Sequence, residues 1–432
     1  MKKVALSLAG LLAAAAFAPE ASALPVFARQ TGMACNACHF QHFPILNGFG
    51  RAFKASGFTL MGAQGKVEGD DLSLPDRLNM AVLTTAGLEK QTGNAFAGVP
   101  PVVHDTIQVP GNGGELSLFF GGRVSENVGF LSEFGASALP GMGSAKMPIL
   151  FDVAGGVRAG LVFLTTAGQG AAHSFELMNT GASAVHLAAT MPGLGGQHFM
   201  AASAAQYLGV GIGAAGASVV VVNPDMFFVN VGKYATDALG AVNAVGGAPS
   251  NALNTTYGRA AYLFDAAGFN MGVGVQTHGG EDAFRTMKTQ AQVIDFQMMG
   301  DVGSMTLLLT AGYGKAPKTT NTALLNMFNA HNQKDRTALT INASLGFTPK
   351  ISGIIGVRQG KSGAADAANG DLTDNAIQLG ATYGLAQNIE LSIMHTRQSG
   401  SFWSAANLPL NAAGQPDQTG KNATSIKIEA LF

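Results

Sequence analysis

Hydrophobic and polar residues alternate with a period of two from about residue 75 to the end of the chain. In the segment 336–348, Leu339 and Ile341 fall on one side while Thr340 and Asn342 fall on the other. Similar segments follow one another and are separated by clusters of turn residues. Such alternation is typical of β-strands with one apolar and one polar face. The pattern therefore predicts a series of antiparallel hairpins.

The connections between the predicted strands differ in length. Short turns, at 348–350 and 386–388, alternate with long links rich in Gly, Asn and Asp, at 234–256 and 361–374. Transmembrane β-barrels have this asymmetry, because their periplasmic turns are short and their outer loops are long. The alternation of turn lengths therefore favours a barrel.

The end of the chain and its composition point the same way. The last segment, NATSIKIEALF, ends in Phe432 and resembles the signal that hands outer-membrane proteins to the insertion machinery. Only 12% of the residues are charged, against about a quarter in ordinary soluble domains. A soluble β-sandwich or propeller is the alternative, but the sequence has no internal repeat of about 40–50 residues. We predict a mainly β fold, with a transmembrane antiparallel barrel of about 16 strands over residues 75–432.

The N-terminus predicts export. Residues 1–23 combine a basic start, an apolar run and the small-residue site ASA, which is the pattern of a cleaved signal peptide. A membrane anchor is the alternative, but the run of about 15 residues is shorter than the roughly 20 that a spanning helix needs. After residue 24 the sequence has no apolar stretch long enough for a spanning helix. An exported chain of this kind lies either outside the membrane or in the outer membrane as a barrel. With a net charge of -1, the chain has no basic excess that would favour binding to nucleic acid.

Both cysteines of the chain lie in one short motif, CNACH, at Cys35, Cys38 and His39. An exported protein could join them in a disulfide, and a zinc site would need a second pair of ligands that does not follow at suitable spacing. The sequence Cys-x-x-Cys-His is also the attachment site of a c-type haem. The two thiols would bind the haem vinyl groups as thioethers, and His39 would bind the iron from the proximal side. One covalent haem c is the favoured cofactor.

A short helix is predicted next to this motif. Pro44 suits its first turn and Gly57 its C-terminal end. Ile45, Phe49 and Phe53 recur at four-residue steps and predict one apolar face. This face would pack against the haem or, as in any small helix, against the rest of its domain.

The second axial ligand of the iron is predicted to be Met61, which follows the helix and a glycine turn, so that the chain can fold back over the distal face. Met33 and Met80 are rivals, and an open site is a further alternative. His42 follows His39 too closely to reach the other face of the same iron.

Three basic residues near the motif are candidates to neutralise the haem propionates. They are Arg29, Arg51 and Lys54. The alternative is that they are solvated surface charges.

The segment 24–60, followed at once by a predicted barrel, resembles the fused outer-membrane monohaem cytochrome–porin family, whose best-known members are iron oxidases. The specific likeness covers only this segment, and beyond it the match is one of architecture. The resemblance implies a small α-helical monohaem cytochrome c domain over residues 24–74, with the haem on Cys35, Cys38 and His39. It also implies that this domain lies in the barrel and passes electrons from outside the cell to periplasmic carriers.

The barrel region shows no triad or paired-carboxylate site that would indicate another chemistry. Its histidines lie without ligand-like spacing and are more often loop or lumen residues than metal ligands: His104, His173, His186, His198, His278, His331 and His395. Outer-sphere electron transfer needs no general base or nucleophile. The favoured function is that of an Fe(II):cytochrome oxidoreductase of the outer membrane, with extracellular Fe(II) as donor and a periplasmic cytochrome or other carrier as acceptor. The alternatives are a solute-transporting porin with a haem plug or redox sensor, and electron export to an extracellular acceptor.

The first test concerns the cofactor. Mass spectrometry of the exported protein is expected to give the mass of the chain from Leu24 plus that of one haem, because thioether bonds survive denaturation. Replacing Cys35 and Cys38 together by Ser should remove the added mass. An unmodified mass for the unaltered chain would contradict the haem assignment.

Overall fold

The computed structural model describes residues 25–41, 45–62, 64–93, 103–135, 141–181, 203–237, 252–320, 324–404 and 421–432. The predicted signal peptide, His42 and Pro44 lie outside the described residues. The described helices are short: α1 Pro25–Thr31, α2 Cys35–Cys38, α3 Gly48–Ala55 and α4 Ala204–Leu208. Among the described residues, no helix is long and apolar enough to cross a membrane.

Strands make up most of the described chain. In sequence order they are β1 Lys66–Gly69, β2 Leu72–Pro75, β3 Met80–Thr92, β4 Val103–Pro110, β5 Gly113–Gly114, β6 Leu116–Arg123, β7 Gly129–Gly135, β8 Gly141–Ala154, β9 Val157–Thr166, β10 Gly213–Asn223, β11 Phe227–Asp237, β12 Thr255–Ala266, β13 Phe269–Gly280, β14 Ala291–Val302, β15 Met305–Ala316, β16 Arg336–Thr348, β17 Ile351–Ala365, β18 Asp371–Thr373, β19 Asn375–Ala386, β20 Ile389–Ser399 and β21 Asn422–Leu431. Strands β1 and β2 form a separate hairpin, and β3 to β21 form one closed barrel.

The barrel closes where β21 pairs with β3, from Asn422 opposite Thr92 to Leu431 opposite Leu83. Two of its spanning strands are interrupted. Strands β4 and β6 both pair antiparallel with β3, one with each half of it, and β18 and β19 both pair antiparallel with β17. Counting each interrupted pair once, and leaving out the short β5, gives the closed antiparallel barrel of 16 strands that the alternation predicted.

The two faces of the barrel wall have opposite polarity. On β16, Leu339 and Ile341 point outward with 41% and 43% of their surface exposed, while Thr340 and Asn342 are buried. The same division holds around the barrel, where buried polar side chains include Thr85, Gln91, Ser117, Asn230, Gln276, Gln297 and Gln378. A wall that is apolar outside and polar inside is the arrangement of a membrane-spanning barrel. The predicted facing of β16 is confirmed.

The two ends of the barrel differ as the turn lengths predicted. Tight connections join strands at one end: 124–128, 155–156, 224–226, 267–268, 303–304, 349–350 and 387–388. The C-terminus lies at this end, because the Leu431 N–H donates at 3.0 Å to the carbonyl of Asn388, in the tight turn 387–388. The start of β3 lies beside it, since Val82 exchanges two backbone hydrogen bonds with Phe432, at 2.7 and 2.9 Å. The longer connections lie at the other end, and the one between β9 and β10 spans residues 167–212.

Residues 25–62, the N-terminal cassette, contact the barrel near its tight turns. Arg158 Nη1, at the start of β9, donates to the carbonyl of Ser56 at 2.8 Å. Gln41 Nε2 donates to Thr306 Oγ1 at 2.8 Å, at the start of β15, and its amide oxygen accepts from Ser344 Oγ on β16 at 2.7 Å. These contacts reach strands from widely separated parts of the wall. The cassette therefore occupies the mouth of the barrel at the short-turn end.

The cassette helix differs from its prediction at one end. Helix α3 begins at Gly48 rather than near Pro44, because the side chain of Asn47 accepts a hydrogen bond from the Gly50 N–H at 2.9 Å and caps the helix there. Gly57 ends it as predicted, with a φ of 72° that favours glycine.

The predicted apolar face of this helix is only partly present. Ile45 lies before α3 and packs against Met299 and Leu308 of the barrel. Phe53 is buried, but Phe49 is 40% exposed and does not belong to the packed face. The prediction of one apolar helix face through Ile45, Phe49 and Phe53 is therefore wrong, because Ile45 is not part of the helix.

The described parts of the β9–β10 connection, residues 167–181 and 203–212, form an inward loop that packs against the barrel wall. Phe175, Leu177 and Met178 join buried residues of β8 to β12. Helix α4 packs against buried residues of β14, β15 and β16. Leu46 of the cassette also meets this loop, since its N–H donates to Asn179 Oδ1 at 3.0 Å and its carbonyl accepts from Asn179 Nδ2 at 3.3 Å. The inward loop and the cassette thus share the lumen.

Gly129 of β7 lies close against the cassette, and this contact can be tested. A Cβ on Gly129 would lie 1.8 Å from the carbonyl oxygen of Gly57, so Gly129→Ala should displace the cassette at a cost of about 1–3 kcal/mol. Trypsin should then cut after Arg51 or Lys54 while circular dichroism still shows a folded barrel.

Gly135 lies at the other end of the same strand and has open space around it. Gly135→Ala is therefore the matched control and should leave the cassette protected. Equal protection of both variants would contradict this packing.

Candidate cofactor site in the barrel lumen

A cavity of about 400 Å³ lies between the cassette, the inward loop and the wall. The cassette contributes Phe27, Cys35, Cys38, His39, Phe53 and Lys54. The wall contributes Leu83, Phe119, Leu131, Glu115, Glu133 and Lys146, and the inward loop contributes Gln169, His173, Glu176, Met178 and Asn179. Three parts of the chain that are distant in sequence thus enclose one space.

Both cysteines and His39, the three residues of the predicted haem-attachment motif, line this cavity. Helix α2 is a single turn, and the His39 N–H donates to the Cys35 carbonyl at 2.8 Å, which keeps the three residues on one turn. His39 Nδ1 lies 3.3 Å from the carbonyl oxygen of Ile45. Because a carbonyl oxygen can only accept a hydrogen bond, this contact favours the tautomer with the proton on Nδ1. Nε2 then carries the lone pair, as it does in many metal-binding histidines.

Helix α3 holds this turn in place. The side chain of Asn47 donates to the carbonyl oxygens of Asn36 and Ala37, at 3.2 and 3.1 Å. Its backbone N–H donates to the Cys38 carbonyl at 3.0 Å. Gly50 lies so close that a Cβ there would be 2.1 Å from the same carbonyl oxygen. Asn47 therefore caps α3 and, through its hydrogen bonds to Asn36, Ala37 and Cys38, fixes α2 beside it.

Three aromatic rings form an apolar wall beside the cysteines. The ring of Phe27 lies 4.9 Å from that of Phe53, edge to face, and 4.9 Å from that of Phe58, stacked. All three residues line the cavity. Such rings exclude water and suit the flat apolar face of a porphyrin.

Basic residues enter the cavity from two sides. Lys54 comes from the cassette and Lys146 from β8. Burial lowers the pKa of Lys54 to about 8, and the carboxylate of Glu176 opposes part of that shift. Lys54 makes no ion pair with any residue that the structure describes. A bound carboxylate would stabilise its charge.

The predicted arginines lie elsewhere. Arg29 donates to the carbonyl of Met80, and Arg51 is buried and donates to Asn270 Oδ1 on β13. Neither residue lines the cavity, so Lys54 is the one of the three predicted cationic candidates that does.

The predicted methionine ligands are also separated. Met33 lines the cavity, whereas Met61 and Met80 do not. Two further residues with ligand chemistry line it, His173 and Met178 of the inward loop. Nothing in the spacing of the sequence points to them, because only the folding of the inward loop brings them beside the cysteines.

A buried ion-pair cluster anchors the inward loop to the wall. Arg259 of β12 donates from Nε to Glu176 Oε2 at 2.9 Å and from Nη1 to Asp295 Oδ2 at 2.6 Å. Thr180 Oγ1 donates to the other oxygen of Asp295 at 2.7 Å. The Arg259 guanidinium also contacts the sulfur of Met178 at 3.6 Å. The loop residues that line the cavity are thereby held in position.

These residues fit a haem c. Two thiols lie on one turn, and the following histidine presents Nε2 as its lone-pair nitrogen. Aromatic rings line the same space, together with the half-buried Lys54, which makes no ion pair with the described residues. When bound, such a group supplies a one-electron redox centre.

No protein-family model matches the chain, and no curated protein matches it. Several solved outer-membrane proteins resemble it in structure, with low sequence identity and TM-scores below 0.5. OmpF of Salmonella typhi in complex with daunomycin is 11% identical with a TM-score of 0.48, over 85% of this chain and 100% of that one. The outer membrane channel DcaP of Acinetobacter baumannii is 10% identical with a TM-score of 0.49, over 82% and 97%. OmpT of Vibrio cholerae is 11% identical with a TM-score of 0.46, over 85% and 100%. Because these identities and TM-scores are low, we base the assignment of a barrel on the strand pairing and side-chain orientation of this chain itself.

The ion-pair cluster gives a second test. Arg259→Leu would leave the carboxylates of Glu176 and Asp295 buried without their cation, which is expected to cost about 3–5 kcal/mol of unfolding free energy. The inward loop should also become accessible to protease in the folded barrel.

The control removes an exposed pair, Lys361 with Asp371 at 2.6 Å, where Lys361→Ala should cost at most about 1 kcal/mol. Similar losses in the two variants, measured by urea unfolding from lipid vesicles, would argue against the cluster as an anchor.

Proposed function

We propose that the chain is an electron-transfer protein of the outer membrane of a Gram-negative bacterium, of the fused monohaem cytochrome–porin type. It is exported by a cleaved signal peptide and carries one covalent haem c on Cys35, Cys38 and His39. The observation that supports this most is the position of the Cys-x-x-Cys-His turn at a cavity inside a closed barrel.

The lipid-facing wall explains why such a centre would lie in a barrel. A bilayer insulates, and a redox group in the lumen would shorten the distance that an electron has to cross. The cassette occupies the short-turn end, which faces the periplasm in bacterial barrels. A periplasmic cytochrome or other carrier would therefore approach the cassette directly.

The proposed donor is extracellular Fe(II). Each Fe(II) loses one electron and becomes Fe(III), and one oxidised periplasmic carrier gains that electron. Because Fe(III) is insoluble at neutral pH, oxidation at the outer surface keeps the product out of the cell. No bond to a substrate is made or broken, so the protein needs no acid, base or nucleophile for this reaction.

Each residue of the site has a definite task in this proposal. Cys35 and Cys38 hold the cofactor covalently, and His39 binds the iron in the orientation that its Nδ1 contact sets. The aromatic wall excludes water, which limits solvent reorganisation around the centre. Lys54 neutralises a propionate.

A solute-transporting porin whose cassette serves as a plug or redox sensor is the second candidate, and electron export to an extracellular acceptor is a variant of the first. The closed 16-stranded wall with its polar inner face favours the porin. The cassette and the inward loop in the lumen favour electron transfer, because both stand in the path of a solute.

Anaerobic addition of Fe(II) to the purified, oxidised protein separates the two candidates. Electron transfer predicts rapid appearance of the reduced haem absorption bands and little solute flux through liposomes that contain the protein. A variant with Cys35 and Cys38 replaced by Ser is the control and should give no absorption change. Haem that stays oxidised, together with rapid solute flux, would reject Fe(II) oxidation and favour the porin.

A further inference from the structure

One histidine of the barrel has a binding atom that the described structure leaves without a partner. His173 ends a short 3-10 turn, Ala171–His173, in the inward loop and lines the cavity with Cys35 and His39. Its Nε2 atom is buried and makes no hydrogen bond among the described residues. A buried nitrogen left in this state is destabilising, and such groups in native proteins usually have a partner.

The backbone around His173 is well fixed. Lys146 Nζ donates to the His173 carbonyl at 2.9 Å, and the His173 N–H donates to the Gly170 carbonyl at 3.1 Å. Gly170 has a φ of 75°, and a Cβ there would lie 2.4 Å from the Val210 carbonyl oxygen, so the turn lies tightly against the rest of the loop. The side chain therefore starts from a rigid support.

The other candidates in the described residues are less suitable. The sulfur of Met178 contacts the Arg259 guanidinium at 3.6 Å, inside the ion-pair cluster. Met61 does not line the cavity, and Met33 does so with 41% of its surface exposed. His278 is buried, but its Nε2 contacts the Gln276 amide at 2.9 Å and it lies outside the cavity lining.

We propose that the imidazole of His173 is the second axial ligand of the haem iron, so that the cassette supplies one ligand and the inward loop of the barrel the other. This inference rests on the proposed haem site and replaces Met61 in that role. The iron would then join two parts of the chain that are otherwise linked by hydrogen bonds and packing. Two histidine ligands also give a lower reduction potential than a histidine and a methionine.

The test uses the haem-loaded, full-length protein and electron paramagnetic resonance of the ferric state. His173→Ala is expected to convert the low-spin signal to a high-spin one, and added imidazole should restore the low-spin signal. His173→Met should keep the iron low-spin, produce the near-infrared sulfur-to-iron charge-transfer band and raise the reduction potential. His278→Gln and Met61→Ala are the controls and should leave the spectrum unchanged.

An unaltered spectrum in His173→Ala would overturn the inference, and so would conversion to high spin in Met61→Ala, Met33→Ala or Met178→Ala alone. If His173→Ala fails to fold, the spectrum and potential of His173→Met still decide the question. A chain that carries no covalent haem would overturn this inference and the proposed function together. If the chain carries haem but its spectrum does not depend on residue 173, only this inference is overturned.

Discussion

The structure depends on the requirement that every backbone polar group in lipid finds a partner within the protein. Closure of the barrel between β3 and β21 meets this requirement, because it leaves neither strand as an edge. Once the wall is closed, its inner face lies in a space that lipid does not reach. Polar residues, charges and an inserted segment can then be buried there without contact with the membrane.

The cavity exists because two inserted segments meet inside this wall. Asn179 of the inward loop exchanges hydrogen bonds with the backbone of Leu46, and Arg259 holds the same loop through Glu176. The cassette is held by polar contacts with strands on several sides and by a glycine-to-glycine approach at Gly129. Neither segment forms the cavity alone. The cavity is therefore complete only when the cassette and the inward loop are both in place.

Much of the fold could be predicted from the sequence, because alternation and turn length are local properties. The outward facing of Leu339 and Ile341 and the end of α3 just before Gly57 follow from residue type and spacing. The Cys-x-x-Cys-His motif singled out three residues that the structure places at one cavity. The exposure of Phe49 was not predictable from periodicity, because the Asn47 cap shortens the helix and moves Ile45 out of it.

The barrel side of the site could not be predicted, because it depends on long-range folding. His173 is one of several scattered histidines, and no spacing connects it to His39. Arg51 has the charge expected of a propionate partner, yet its guanidinium turns to Asn270 of the wall. Of the three basic residues near the motif, only Lys54 reaches the cavity. Charge and nearness in sequence could not separate it from Arg29 and Arg51, whose side chains bind groups of the barrel instead.

The most direct test of a haem inside the barrel is anomalous diffraction at the iron absorption edge from crystals of the purified protein. A haem bound to His39 inside the barrel predicts a single iron peak within the lumen, beside that residue. An iron peak outside the wall, or none in protein that carries haem by mass, would contradict it.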